Sequence, residues 1–287
     1  MRMRPTLCLL AALALAVTLV PPAHAQLKLP RVSPAATVTQ TLGLTDLTVA
    51  YSRPGVKGRV IWGGLVPYDA PWRTGANEAT RLTVTDPVQF GGKELAAGSY
   101  ALLTIPGKDE WTVILNSEKD LWGAFQYDST KDVLRVTVKP AAAEPQEWMA
   151  FSFEDLTPNS ANLVLRWEKL RVAVPIVVDV NGKALSTARA AIAAAKADDW
   201  RTPYQAAGFC MTNDVALDEG KQWLEKSLAI QQTYANMGLK ARWLAKDGKK
   251  SDAIKTAEKA LELAKAGKDK PDTSALEKLL ADWKAAK

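Results

Sequence analysis

Between about residues 37 and 178 apolar side chains recur at every second position. Leu47, Val49 and Tyr51 alternate with Thr48, Ala50 and Ser52, and Leu82 and Val84 with Arg81, Thr83 and Thr85. Leu134, Val136 and Val138 alternate with Arg135, Thr137 and Lys139, and the same spacing holds for Met149-Phe151-Phe153, Leu163-Leu165-Trp167 and Val172-Val174. Successive side chains of a strand point to opposite faces, so each run predicts a strand with one apolar and one wetter face. Gly91-Gly92 predicts a tight hairpin between the runs at 88–90 and 93–95, and the Pro-Gly-Lys-Asp-Glu of 106–110 joins the runs at 100–105 and 111–115. Eight or nine short strands are too many for one flat sheet of this length. The pattern predicts an antiparallel β-sandwich, jelly-roll-like, over 37–180, with a linker at 26–36 before it.

After Pro175 the period changes. Alanine, lysine, leucine and glutamate dominate from Lys183 onward, and Ala253, Ala257, Ala260, Leu261 and Ala264 follow helical spacing. Residues 224–228 (Leu-Glu-Lys-Ser-Leu) and 257–261 (Ala-Glu-Lys-Ala-Leu) superpose at an offset of 33 residues. That offset also aligns Gly208 with Ala241, Gly220 with Ala253 and Ser227 with Ala260. These spacings match the small positions of a tetratricopeptide repeat, which let paired helices approach closely. Pro203 and Pro271 fall where helices are expected to start. The region 181–287 is therefore predicted as a helical domain, either a plain antiparallel hairpin or a tetratricopeptide-like repeat.

The amino terminus has a third pattern. Arg2 and Arg4 precede an apolar run over 7–20, which ends in Ala23-His24-Ala25. A basic start, a short apolar stretch and an Ala-x-Ala site predict a cleavable signal peptide at 1–25, and hence a periplasmic or secreted protein. No later apolar run is long enough for a membrane helix, so no membrane span is expected. Cleavage near Ala25 removes the only histidine, His24, and also Cys8, leaving Cys210 as the sole cysteine. No intramolecular disulfide is then possible. Loss of Arg2 and Arg4 lowers the formal charge from +6 to +4. A mild positive charge spread along the chain does not predict a nucleic-acid partner.

Composition also narrows the chemistry. Without histidine, Ser-His-Asp and Cys-His nucleophile systems cannot be built, and neither can the usual zinc sites. No glycine-rich nucleotide loop is present, so no cofactor is expected. Cys210, in Gly208-Phe-Cys-Met211, reads as a small packing residue. The alternate oxygens of Asn116, Glu118 and Asp120 lack the glycine and bidentate glutamate of a calcium loop, so no metal is predicted there. Asp69, Glu78, Asp128 and Asp132 are the carboxylates from which an acid–base pair could be drawn.

The stretch 51–80 is long for a connection between strands, which marks it as a candidate functional loop. It gathers Arg53, Arg59, Trp72, Arg73, Asn77 and Glu78, and Trp122 and Tyr127 lie in a second aromatic segment at 121–128. Arginines recognise carboxylate or phosphate in bidentate fashion and tryptophan supplies a flat apolar platform. These eight residues are the predicted ligand-binding set. The competing reading is that they pair with one another and pin the loop to the sandwich.

The motifs Tyr-Ser-Arg-Pro-x-Val-Lys-Gly-Arg at 51–59, Pro-Trp-Arg-Thr-Gly-Ala-Asn-Glu-Ala-Thr at 71–80, Ala-Ala-Gly-Ser-Tyr-Ala-Leu-Leu-Thr-Ile-Pro-Gly at 96–107 and Trp-Thr-Val-Ile-Leu-Asn at 111–116 resemble the domain of unknown function 2911 family (DUF2911). The resemblance runs through 122–128 to the Val-Pro-Ile of 174–176. It implies an exported bacterial protein, often with a tail resembling tetratricopeptide repeats, and supplies no activity and no catalytic residues. The expectation is a non-catalytic module in which the sandwich takes a small anionic or sugar-like ligand and the helices dock a protein partner. The alternatives are a hydrolase or lyase acting on envelope glycans through carboxylates such as Glu78, and a purely structural protein.

Overall fold

The computed structural model describes residues 29–268 and 270–285. The predicted signal peptide, with His24, Cys8 and the Ala25 site, lies outside the described residues. Ten strands form two antiparallel sheets. The first contains β1 (Ala35–Leu42), β2 (Thr45–Ser52), β3 (Thr80–Val84), β6 (Gly98–Pro106), β7 (Trp111–Asn116) and β8 (Asp132–Val138), in the order β1-β2-β3-β6-β7-β8. The second has the order β5-β4-β10-β9, from β4 (Val88–Phe90), β5 (Lys93–Leu95), β9 (Ala141–Glu154) and β10 (Ser160–Val178).

The alternating apolar positions do what their period requires. Leu47, Val49, Leu82, Val84, Val113, Leu115, Leu134 and Val136 from the first sheet meet Phe90, Met149, Phe151, Leu163, Leu165 and Ile176 from the second in one core. Gly91 and Gly92 turn the β4–β5 hairpin with φ of 58° and 78°, values that two consecutive L side chains rarely adopt. In β10 the period slips. Glu168, with φ of 53°, sits at a shift of the β9–β10 register, so Trp167 before it and Val172 beyond it both face inward.

Strand β6 is apolar at consecutive positions because both of its faces are covered. Tyr100 and Leu102 enter the main core, whereas Ala101 and Leu103 pack outward with Ile114 under Leu121 and Tyr127. The segment between β7 and β8 thus folds across the outside of the first sheet. A short 3-10 turn at Ser129–Lys131, capped by the Asp128 carboxylate accepting from Thr130 N at 2.9 Å, returns it to β8.

Six helices follow: α1 (Val180–Ala194), α2 (Arg201–Asn213), α3 (Leu217–Ile230), α4 (Tyr234–Lys246), α5 (Lys250–Ala266) and α6 (Ser274–Ala285). Helices α2 and α4 begin 33 residues apart, as do α3 and α5, which is the offset read from the sequence. Ala241, Ala253, Ala260 and Ser227 are fully buried. Gly220 allows the closest approach: a Cβ there would stand 2.6 Å from Cys210 Cβ and 2.8 Å from Trp243 Cη2. Cys210 is buried at this crossing, and burial pushes its thiol pKa up, which suits packing rather than nucleophilic chemistry. A capping box of Thr233 and Asn236 starts α4. Asn236 also donates to Ser227 Oγ at 3.0 Å, and Ser227 donates to Trp200 O at 2.8 Å, so one buried polar chain joins three segments. Among the described residues no helix is long and apolar enough to cross a membrane.

Candidate functional site

The long connection between β2 and β3 is fixed to the sandwich by its own backbone. Val56 N donates to Glu147 O and Met149 N to Pro54 O, while Trp72 and Thr104 exchange both of their backbone bonds. Residues Lys57, Asp69, Thr74 and Asn77 take positive φ, and a β-turn at Val56–Arg59 is closed by Arg59 N donating to Val56 O at 3.0 Å. The connection carries Trp62 and Trp72 inward against Trp111 and Trp167, with ring centroids 5.0 to 6.4 Å apart. Trp72 stacks on Trp167 at an interplanar angle of 21° and donates from Nε1 to Gly75 O at 3.2 Å. Trp72 is therefore a core anchor; the flat platform expected of it is covered.

The arginines are dispersed. Arg53 Nε donates to Met149 O at 2.8 Å, and Arg59 donates to Gly55 O at 2.5 Å and Val56 O at 3.1 Å. Both guanidinium groups hold backbone carbonyls, the acceptors that an irregular loop leaves unpaired. Arg73 lies between Trp72, which packs in the main core, and the buried Thr74. Its Nε is buried without a partner among the described residues, and burial lowers its pKa. Asn77 Nδ2 donates to Ser33 O at 3.2 Å. Arg53, Arg59 and Glu78 thus bond to other partners and not to one another, unlike the competing reading of a loop held by its own Arg–Glu pairs.

Glu78 instead accepts both bonds from Arg31 Nη1, at 2.7 and 2.9 Å. Hydrogen bonding to Arg31 holds its carboxyl below the ordinary glutamate value. Arg31 belongs to the segment before β1, read from sequence as a linker. That segment lies along the loop, since Pro34 O also accepts from Arg53 N. Beside Glu78, Ala79 N donates to Leu121 O at 2.9 Å and the backbones of Glu78 and Trp122 form a bridge. This places Trp122, 54% exposed, next to the Glu78–Arg31 pair. Arg81, outward on β3, pairs with Asp120 from the same aromatic segment. Phe125 is 77% exposed, and its ring lies over Gly123, where a Cβ would stand 2.7 Å from Phe125 Cε1.

Of these residues Glu78 and Arg81 line an open pocket of about 240 Å³, whose walls also include Ala35, Ala50, Tyr51 and Ala79. The small alanines of β1, β2 and the loop create its depth. Its lining offers the Glu78 carboxylate and the Arg81 guanidinium, and the exposed Trp122 belongs to the segment whose backbone bridges to Glu78. Tyr127, predicted beside Trp122, is drawn elsewhere: its OH donates to Asp132 Oδ2 at 2.7 Å and accepts from Arg135 at 2.5 Å. Burial, with Asp132 beside it, pushes its pKa up to about 12, so it stays a neutral donor at physiological pH.

Sequence reasoning missed Arg31, Arg81, Asp120 and Phe125. Arg81 and Asp120 carried a usable signal, an arginine at an outward strand position and an acidic loop, but their pairing crosses 39 residues. Among the described residues no group of His, Cys, Asp and Glu could hold a metal ion. Asn116 Oδ1 accepts from Glu118 N, and Glu118 pairs with Lys131, so the calcium-like spacing is occupied by local bonds.

A family model described as protein of unknown function (DUF2911) matches residues 33–176, ending within β10 and leaving the helices outside the match. No curated protein and no solved structure matches the chain.

Proposed function

The chain belongs to the DUF2911 family, whose description assigns no activity, and from its own site we propose that it is a non-catalytic binding protein of the cell envelope. In this reading the signal peptide exports it, the sandwich binds a sugar-like ligand in the pocket beside Glu78 and Arg81, and the helical repeat docks a protein partner. The observation that carries it is an alanine-lined pocket with Glu78 and Arg81 in its wall, each ion-paired, and the exposed Trp122 in the segment whose backbone bridges to Glu78. An indole stacks on the apolar face of a sugar ring, while paired carboxylates and guanidiniums offer acceptors and donors to its hydroxyls. An anionic ligand is less well served. Arg53 and Arg59 are spent on carbonyls, and Arg31 and Arg81 already face carboxylates.

Hydrolysis with Glu78 as general acid requires a raised carboxyl pKa, and the Arg31 pair moves it down. The test is calorimetric titration of the exported protein with soluble oligosaccharides from envelope glycans, alongside W122A and A50L. Binding by the wild type, weakened at least tenfold in both variants with unchanged thermal stability, supports the reading. Equal binding by all three proteins would overturn the site, and new reducing ends in the titration cell would overturn the non-catalytic assignment.

A further inference from the structure

Each sheet of the sandwich has two edges, and three of the four are defended. Strand β8 carries Asp132 and Arg135, and Lys93 Nζ from β5 donates to Arg135 O at 2.8 Å. Strand β5 has only three residues, two of them charged. Strand β9 is met by the β2–β3 connection at Glu147 and Met149 and by Tyr51, whose hydroxyl accepts from Phe151 N at 3.0 Å. Edges treated in this way resist further strand addition.

Strand β1 has none of these devices. It pairs with β2 without interruption over eight residues, and its sequence, Ala-Ala-Thr-Val-Thr-Gln-Thr-Leu, contains no charge, no proline and no bulge. Among the described residues no segment other than β2 makes backbone hydrogen bonds to 35–42. Apart from Thr41 O, which accepts from Gln40 Nε2 at 2.9 Å, an edge of this length presents a ladder of unpaired N–H and C=O groups to solvent.

The composition of β1 selects its partner. Two copies of one strand meeting antiparallel about a two-fold axis oppose each residue to another of the same strand, so any charge risks meeting its own kind. A strand free of charge escapes that cost. With the axis at Val38, Val38 faces its counterpart, Ala36 faces Gln40, and Thr37 faces Thr39. Outward threonines already pair across this sheet, Thr39 with Thr48 at 3.0 Å, and Thr83 pairs likewise with Ser99 at 2.8 Å. Self-pairing continues the same hydroxyl rows.

We propose that the protein forms a two-fold dimer by antiparallel pairing of β1 with β1 of a second copy, joining the two larger sheets into one. The register opposes Ala35 to the second copy's Thr41, which is hydrogen-bonded to Asp46 at 2.6 Å. Because Ala35 and Thr37 also line the candidate pocket, the second copy supplies a wall on its open side. The dimer itself stands whether or not that pocket binds a sugar.

The test is sedimentation of the protein purified after export, over a concentration series, with register-specific cross-linking. Wild type is expected to reach twice the monomer mass, and T37K/T39K, which sets lysines against lysines, to remain monomeric with its circular dichroism unchanged. Buried Cys210 is silent to oxidation. Mixed T37C and T39C copies should therefore form disulfide-linked dimers, and neither variant alone should do so. A wild-type monomer at every concentration overturns the proposal. If its β1 amides are then protected from hydrogen exchange, a segment of the same chain covers the edge; if they exchange freely, the edge is open. A dimer that survives T37K/T39K also overturns it, by placing the interface elsewhere.

Discussion

Two helical glycines in the helical domain should respond to alanine with opposite signs. Replacing glycine by alanine inside a helix stabilises it by about 1 kcal/mol when the new methyl meets nothing. At Gly208 in α2 the nearest atom to a new Cβ is Leu239 Cδ2 at 4.0 Å, an ordinary contact. G208A should gain up to about 1 kcal/mol. At Gly220 in α3 the Cβ would meet Cys210 Cβ at 2.6 Å and Trp243 Cη2 at 2.8 Å. Neither neighbour is the loose end of a flexible chain, so the α2–α3 crossing must open by several tenths of an ångström. Overpacking of this kind costs roughly 1–3 kcal/mol, and more where neighbours cannot give. Against the propensity gain, G220A should lose up to about 2 kcal/mol. Urea unfolding followed by far-UV circular dichroism reads both effects as shifts of the helical transition at unchanged slope. The reasoning is refuted if G220A unfolds at a higher urea concentration than wild type, since propensity alone would then account for both sites.

The Trp62, Trp72, Trp111 and Trp167 cluster gives a second prediction: W167A should cost about 3–5 kcal/mol and collapse the near-UV circular dichroism, and a loss below 1 kcal/mol would show that the cluster is not packed as described. A third comes from Glu154, which accepts from Arg166 and Arg171 and whose pKa is lowered from 4.5 to about 2, chiefly by the Arg166 hydrogen bond. A depressed carboxylate pKa contributes stability that is present above pH 4.5 and is lost as pH falls toward 2. E154Q should therefore be less stable than wild type at neutral pH by roughly 1 kcal/mol, allowing for screening of a partly exposed pair. The gap should close in acid unfolding curves between pH 4.5 and about 2, and a constant gap would refute the pairing.

The architecture was legible where physics is local. A period of two marked the strands, a period of 3.6 the helices, and the 33-residue offset of small residues anticipated the buried contacts at Gly220, Ser227 and Ala241. Cys210 also read correctly, because a lone cysteine beside alanines on a helix has nothing to activate it. The site was less legible for identifiable reasons. Arginine and tryptophan suit a ligand pocket and a pinned loop equally, and the acceptors that decide between them, Met149 O for Arg53 and Gly55 O for Arg59, are backbone atoms without sequence identity. Tryptophan burial was equally ambiguous: Trp72 went into the core and Trp122 to the surface, although both sit in irregular chain. Arg31 was hidden because a segment before the first strand has no period from which its contacts could be read. The slip in β10 was hidden because a bulge at Glu168 leaves each half of the strand regular.

The proposed ligand site is the junction of β1, β2, residues 78–81 and the Trp122 segment. Hydrogen exchange of the exported protein, with and without a bound envelope oligosaccharide, tests it most directly. Added protection is expected only over 35–37, 50–52, 78–81 and 120–125, with the helices unchanged. Protection centred on the helices, or on the 53–76 connection with Trp122 unaffected, would contradict it.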